Sequence, residues 1–150
     1  MIIRLAAPHD MGRILELGQQ MHQEGTYAFL PFEREKVARF AAEYMSDPLS
    51  YFFMVAQQDN ILIGMMAGTL SDYFFCHEKI ACDTVLFIAR RYRGGSSAIK
   101  LIKAFRAWAE ERGARELCLA VSMPVEAKRV GCFYERLGFT RMGGIYKLRL

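Results

Sequence analysis

The run Val85-Leu86-Phe87-Ile88-Ala89-Arg90-Arg91-Tyr92-Arg93-Gly94-Gly95-Ser96-Ser97-Ala98 decides the architecture. Its first half is β-branched, aliphatic and aromatic, as a strand requires, and its second half opens a helix, so a basic, glycine-containing turn joins the two. The first turn of a helix leaves backbone N–H groups without internal partners, and the macrodipole adds partial positive charge there. At Gly94 and Gly95 a phosphate can approach without a Cβ in the way, while Ser96 and Ser97 can add hydroxyl donors and Arg93 a charge-assisted contact. A pyrophosphate suits this chemistry better than a neutral ligand. Two familiar phosphate motifs do not fit: no lysine separates Gly95 from Ser96, as a Walker A loop requires, and the glycine spacing is not GxGxxG.

Downstream, the spacing predicts a helix over 94–112, with Ala98, Leu101, Ile102, Phe105, Trp108 and Ala109 on one stripe and Arg112-Gly113 as its stop. A strand over 116–121, a helix over 125–137, the Gly138-Phe139 exit and a closing strand pair interrupted by Gly143-Gly144 follow. Upstream lie a strand over 80–89 and two β-rich runs, 51–56 and 61–70, joined through Gln57-Gln58-Asp59-Asn60 as a hairpin whose second arm carries Gly64 and Gly68. A helix over 33–45 ends near Asp47-Pro48, because proline disfavours helix in the residue before it. An earlier helix carries Ile14, Leu15, Leu17, Gly18 and Met21 on one face, with Asp10 as its N-cap, after a strand over 2–5. Between these two helices, residues 25–31 are rich in aromatic and apolar groups, as a pocket-lining loop would be. The order β-α-α-β-β-β-α-β-α-β-β describes a single α/β (α+β) domain over 1–150 with a mixed sheet.

Composition agrees. A chain of 150 residues with 53% apolar and 24% charged residues has the size and make-up of one globular domain and lacks the signature of disorder. The net charge of +4 is small for a nucleic-acid binder, even with Arg90, Arg91, Arg93, Lys100 and Lys103 near one another, so no nucleic-acid partner is expected. No apolar run reaches the length of a membrane span and the N-terminus has no signal-peptide core, so a cytoplasmic location and no membrane partner are expected. Cys76, Cys82, Cys118 and Cys132, with His9, His22 and His77, lack metal-site spacing, and no metal is expected.

Arg93-Gly94-Gly95-Ser96-Ser97-Ala98 resembles the Arg/Gln-x-x-Gly-x-Gly/Ala segment of the GNAT superfamily of N-acetyltransferases, departing from it where Ser96 stands for the middle glycine. Phe133-Tyr134-Glu135-Arg136-Leu137-Gly138-Phe139 resembles the family's (Leu/Phe)-Tyr-x-x-x-Gly-Phe ending. The element order is similar along the whole chain. This resemblance implies the acyl-CoA N-acyltransferase fold, acetyl-CoA as co-substrate and direct transfer to a primary amine of a small molecule or peptide. It implies that the turn from Arg93 through Gly94, Gly95, Ser96 and Ser97 to Ala98 holds the pyrophosphate, and that Leu86, Phe87 and Ile88 face the pantetheine and thioester. It further implies that Tyr134 protonates the departing thiolate. The asparagine common seven residues before that tyrosine is Ala127 here, a position for which Ser122 or Lys128 could compensate.

The chemistry needs a neutral amine. A lysine-like amine of pKa about 10.4 is neutral in roughly one molecule in 2,500 at pH 7, equivalent to about 4.6 kcal/mol, so a base matters. Asp83, at the start of the strand carrying Leu86 and Ile88, is the first candidate, then Glu78 and Glu24. Backbone N–H groups of that strand, Ile88 foremost, would meet the developing oxyanion. Tyr27, Phe29 and Tyr73 stand in segments that border the acceptor cleft of this family, beside Leu30, Phe32, Phe74 and Phe75; a packed core or a homodimer surface would use the same residues. A GNAT-fold acyl-CoA-binding or regulatory module without transfer activity is the alternative, suggested by Ser96 and Ala127.

Overall fold

A computed structural model of the chain describes residues 1–121 and 126–150. Ser122 and Val125, the expected start of the last helix, lie outside the described residues. The described chain forms two compact units, Met1–Ala120 and Val121–Leu150.

In the first unit the elements run β1 (Ile2–Leu5), a 3-10 turn (Pro8–Asp10), α1 (Met11–Glu24), α2 (Arg34–Ser46), β2 (Tyr51–Gln58), β3 (Ile61–Asp72), β4 (Lys79–Ile88), a 3-10 turn (Arg90–Tyr92), α3 (Ser97–Glu111) and β5 (Ala114–Cys118). The strands lie in sequence order in one mixed sheet; the first three pairings are antiparallel, and β4 pairs with β5 in parallel. A parallel neighbour requires a crossover, and α3 supplies it.

Strand alternation distributes the core. Phe53, Val55, Met65, Ala67, Phe87 and Ala89 join Ile14 and Leu17 of α1 and Ala41 and Tyr44 of α2 in one cluster. Residues of the opposite parity meet α3, where the Phe52 ring lies 4.8 Å from Phe105 and 5.7 Å from Trp108. Trp108 is buried, its Nε1–H donating to the Pro48 carbonyl at 3.0 Å and its ring covered by the Arg112 guanidinium at 4.7 Å. With helices on both faces, β2 and β3 need apolar side chains in nearly every position, which is why they read as continuous runs.

The β2–β3 hairpin turns on Asp59 and Asn60 alone, both at left-handed φ (50° and 62°). This two-residue loop matches strand twist and carries the first arm on to Gln58, beyond the expected residue 56; the second arm starts at Ile61 as expected and runs on to Asp72 at its far end. Asp10 stands at the head of α1, but its carboxylate is used elsewhere, accepting from both Arg4 terminal nitrogens (2.7 and 2.8 Å) and the Ala7 N–H (2.9 Å). The Arg4 guanidinium holds this buried carboxyl below the usual carboxylate range, against the upward effect of burial.

Gly68 lets α3 sit down on the sheet: a Cβ there would stand 2.5 Å from Phe105 Cζ and 2.8 Å from the Cys82 carbonyl oxygen. Because one of these is backbone, the neighbours cannot simply rotate away. Gly68→Val is therefore expected to cost about 3 kcal/mol, seen as a lower urea midpoint at unchanged slope. Gly131, where a Cβ meets nothing within 4 Å inside a helix, is the contrast; Gly131→Ala should gain about 0.5–1 kcal/mol.

The second unit contains α4 (Ala127–Arg136). It ends on Gly138 at φ 93°, with the Gly138 N–H donating to Glu135 and the Phe139 N–H to Tyr134. This is a Schellman ending, completed by the Phe139 ring 5.9 Å from that of Tyr134. The strand pair expected beyond it does not form. Residues 139–150 carry no strand, and Met142, Ile145, Tyr146, Leu148 and Leu150 are exposed. Apolar or aromatic and basic groups alternate over 146–150, which is strand chemistry, but alternation selects a face and does not itself build a ladder. Gly143-Gly144 adds backbone entropy that a two-stranded ribbon does not offset.

Candidate functional site

The geometry of interest begins where β4 and β5 part. Their parallel ladder starts at Lys79–Ala114 and, after an irregularity at Arg115, runs through Ile80–Glu116, Ala81–Leu117 and Cys82–Cys118. One residue further along β4, the Asp83 carboxylate accepts the Ala120 N–H at 2.9 Å. A backbone donor that could have extended the ladder is thus taken by a side chain, which is why β5 stops at Cys118 and not at the expected residue 121. Beyond this point, among the described residues, the strand pairing of β4 is with β3 alone.

The β3–β4 register shows which backbone groups the split leaves open. The Ala89 N–H donates to the Ile63 carbonyl at 2.8 Å, and Ile88, Phe87, Leu86 and Val85 follow opposite Gly64, Met65, Met66 and Ala67. Hydrogen-bonded and non-hydrogen-bonded pairs alternate in an antiparallel ladder, so Ala89, Phe87 and Val85 point their backbone groups at β3. Leu86 and Ile88 therefore point theirs at the open edge. Phe87, grouped with them on sequence, spends its backbone in the sheet and its ring in the core beside α1 and α2. Between Ala67 and Gly68 the register slips, leaving Thr84 as an extra residue on β4 with its hydroxyl 3.1 Å from the Tyr44 hydroxyl.

Asp83 sits at the fork. Burial pushes its carboxyl up to about 6, opposed by the Ala120 N–H, which favours the charged form. The other two base candidates have cationic partners: Glu24 meets Arg93 at 2.5 Å and Glu78 meets Arg115 at 3.9 Å. Cys82 and Cys118, direct partners across the ladder, flank the fork as free thiols; burial, with Cys118 beside it, pushes the Cys82 thiol up to about 11.

At the far end of β4 the chain turns through Arg90–Tyr92 into the glycine turn. Gly94 is left-handed (φ 86°), so the helix cannot begin there as the sequence suggested, and α3 starts at Ser97 behind Ser96. The first helical N–H with a partner four residues back is that of Lys100, on Ser96 at 3.0 Å. The N–H groups of Ser97, Ala98 and Ile99 are accordingly the helix's open donors. A Cβ at Gly94 meets nothing within 4 Å, and one at Gly95 meets only the Tyr92 carbonyl at 3.9 Å, so the approach to those donors is clear. Ser97 itself is buried. Arg93 does not extend away from the protein: its Nε donates to the Ile88 carbonyl at 2.8 Å and its Nη2 to Glu24.

The aromatic candidates are dispersed. Tyr27 and Phe29 lie in the 25–33 connection with about half their surface exposed. Tyr73 begins the β3–β4 connection and donates its hydroxyl to Glu116 of β5, a bond that with burial pushes the phenol up to about 12. Phe74 and Phe75 are exposed at its tip. Tyr134 belongs to the second unit, buried between Phe133 and Phe139. Its Gly138-Phe139 neighbours are fully explained by the helix ending, so that part of the motif is structural. Ala127 opens α4, with Lys128 exposed beside it. Among the described residues no group of three or more His, Cys, Asp or Glu could hold a metal, and no helix is long and apolar enough to cross a membrane.

The acetyltransferase (GNAT) domain family model matches residues 49–141. No curated protein sequence matches the chain. Among solved structures, an acetyltransferase of Trypanosoma brucei is similar over 99% of both chains, with 20% identity and a TM-score of 0.76. A transcriptional regulator of Bacillus halodurans is similar over 99% of both chains, with 21% identity and a TM-score of 0.80. The aminoglycoside N-acetyltransferase AAC(6')-Iy, solved in complex with CoA, is similar over 99% of this chain and 93% of its own, with 17% identity and a TM-score of 0.79.

Proposed function

The chain belongs to the GNAT acetyltransferase domain family, and from that premise we propose that it is an acetyl-CoA-dependent N-acetyltransferase acting on a primary amine by direct transfer in a ternary complex. The observation that carries this reading is the open edge of β4. It offers the Leu86 and Ile88 N–H groups in a line that starts at a carboxyl of pKa about 6 and ends at a glycine turn with open helix donors. The family match runs across the boundary between the two compact units, which supports reading 1–150 as one domain.

The residues fit the co-substrate. The Cβ-free approach at Gly94 and Gly95 and the N–H groups of Ser97, Ala98 and Ile99 would hold the pyrophosphate, and the β4 edge the pantetheine arm. When bound, acetyl-CoA supplies an activated acetyl thioester. The Ile88 N–H then donates to the carbonyl oxygen as it gains negative charge, an interaction of a kind worth about 100- to 1,000-fold in rate. Asp83 accepts the proton of the incoming amine at its carboxylate, directly or through water; near neutral pH it is ionised yet basic enough to act. As the new N–C bond forms and the C–S bond breaks, the leaving sulfur takes a proton, a role that Tyr134 Oη would fill by its place in the family's Tyr-x-x-x-Gly-Phe motif. Tyr27, Phe29 and Tyr73 would border the acceptor, a small molecule or peptide amine.

Titration calorimetry with acetyl-CoA, beside a thiol-release assay over an amine panel, tests the reading. Binding with turnover supports it; binding without turnover favours the acyl-CoA-binding module, and absence of binding removes both. Tyr134→Phe keeps the ring that packs on Phe139 and should lower kcat about 10- to 100-fold with acetyl-CoA affinity unchanged. Equal turnover, where chemistry limits the rate, takes Tyr134 out of the acid role.

A further inference from the structure

Arg93 heads a turn suited to anions, yet its guanidinium is already engaged by the protein. Nε donates to the Ile88 carbonyl at 2.8 Å, Nη2 donates to Glu24 Oε2 at 2.5 Å, and Cζ lies 5.3 Å from the centre of the Phe87 ring. The side chain is only about one-third exposed, as is that of Glu24. In a strand the C=O and N–H of one residue point the same way, so the Ile88 carbonyl that Arg93 binds faces the same open edge as the Ile88 N–H. Among the described residues no strand pairs with the last residue of β4 on that edge, and the Arg93 bond holds its backbone in line. Glu24, the final residue of α1, fixes the arginine from the other side, and the two stand 69 positions apart in the sequence.

We propose that Glu24 and Arg93 are a positioning pair: Glu24 orients the guanidinium, and the guanidinium holds the end of β4 so that the Ile88 N–H stays aimed at the acyl oxygen. This rests on the reading of Ile88 as the oxyanion donor. It assigns Arg93 to alignment of the reacting carbonyl, a different role from the pyrophosphate contact that its place in the sequence suggests. It also ties the donor to the connection over 25–33, which starts immediately after Glu24.

Acetyl-CoA and acetyl-pantetheine, a donor without the nucleotide diphosphate, separate the two roles. Arg93→Lys keeps the charge but not the fork that reaches a carbonyl and a carboxylate together. It should lower kcat about 10-fold with both donors while the Kd for acetyl-CoA stays within about twofold. Glu24→Ala should lower kcat by about 5-fold, Glu24→Gln, which retains an oxygen for Nη2, should recover most of it, and Glu24→Ala with Arg93→Lys should be no slower than Arg93→Lys alone. An Arg93→Lys enzyme that binds acetyl-CoA more than about 10-fold less tightly while turning over acetyl-pantetheine normally overturns the proposal in favour of a phosphate ligand. Variants that match the wild type in kcat also overturn it. A wild type that turns over neither donor removes the transfer reading instead, and the Ile88 carbonyl-carbon NMR shift in the ligand-free protein then decides the pair. A shift that moves in Arg93→Lys upholds it, and one that does not move overturns it.

Discussion

Gly95→Trp is expected to weaken acetyl-CoA binding at least about 100-fold while leaving the unfolding temperature unchanged. The two halves of this result have separate causes. The protein tolerates a side chain there, because a Cβ at Gly95 finds its nearest neighbour, the Tyr92 carbonyl, at 3.9 Å and the backbone is not left-handed. The indole would instead occupy the space through which a phosphate reaches the N–H groups of Ser97, Ala98 and Ile99. Losing two charge-assisted hydrogen bonds at about 1.5–3 kcal/mol each corresponds to about 100-fold or more in Kd. Gly94 is a poorer choice, since its φ of 86° would strain any other residue and mix folding with binding. Titration calorimetry reads the affinity, and an intact variant that binds as tightly as the wild type removes this turn as the pyrophosphate site.

Asp83→Asn should reduce kcat/KM about 100-fold at pH 8, within the range of general-base effects. Wild-type kcat/KM should rise with pH to a plateau above about 6, as the carboxyl loses its proton, and the variant should lose that rise. Stability moves the other way. A carboxyl whose folded-state pKa lies above its unfolded value binds protons more tightly when folded; its stabilising contribution is complete at pH below about 3.9 and is lost as pH rises through about 6. Above that range the ionised Asp83 is a cost that asparagine does not carry, while the amide oxygen still accepts from Ala120. The variant should thus melt no lower than the wild type at pH 8, and a large loss of activity at equal or higher melting temperature separates catalysis from folding. Full activity in Asp83→Asn transfers the base role to another group.

What the sequence conveys depends on how local the cause is. The strand, basic turn and helix over 85–98 are legible because Gly94, Gly95 and the serines act on their own backbone. The β2–β3 hairpin and the Gly113 and Gly138 endings are legible for the same reason. The end of β5 is not, because it is set by a side chain on another strand, Asp83, taking the Ala120 N–H. Arg93 is a basic group beside a glycine turn in the sequence and a clasp between Ile88 and Glu24 in the fold, a contact that no spacing encodes. The closing strands fail from the opposite side: residues 146–150 have the pattern of a strand, but a pattern does not itself build a ladder. Gly138-Phe139 was readable as a motif, yet its cause is the Schellman ending of α4, so it says less about Tyr134 than its place in the motif implies.

The chain has a single tryptophan, and its place makes it an optical gauge. Trp108 is enclosed by Phe52, Phe105 and the Pro48 carbonyl where α3 rests on the sheet, in the second half of the helix whose first turn carries the open donors. Its emission should be shifted to the blue in the native protein and move to the red when α3 leaves the sheet. Every variant discussed above except Gly95→Trp therefore carries an intrinsic fluorophore that reports the integrity of the first unit in the same cuvette as the thiol-release assay.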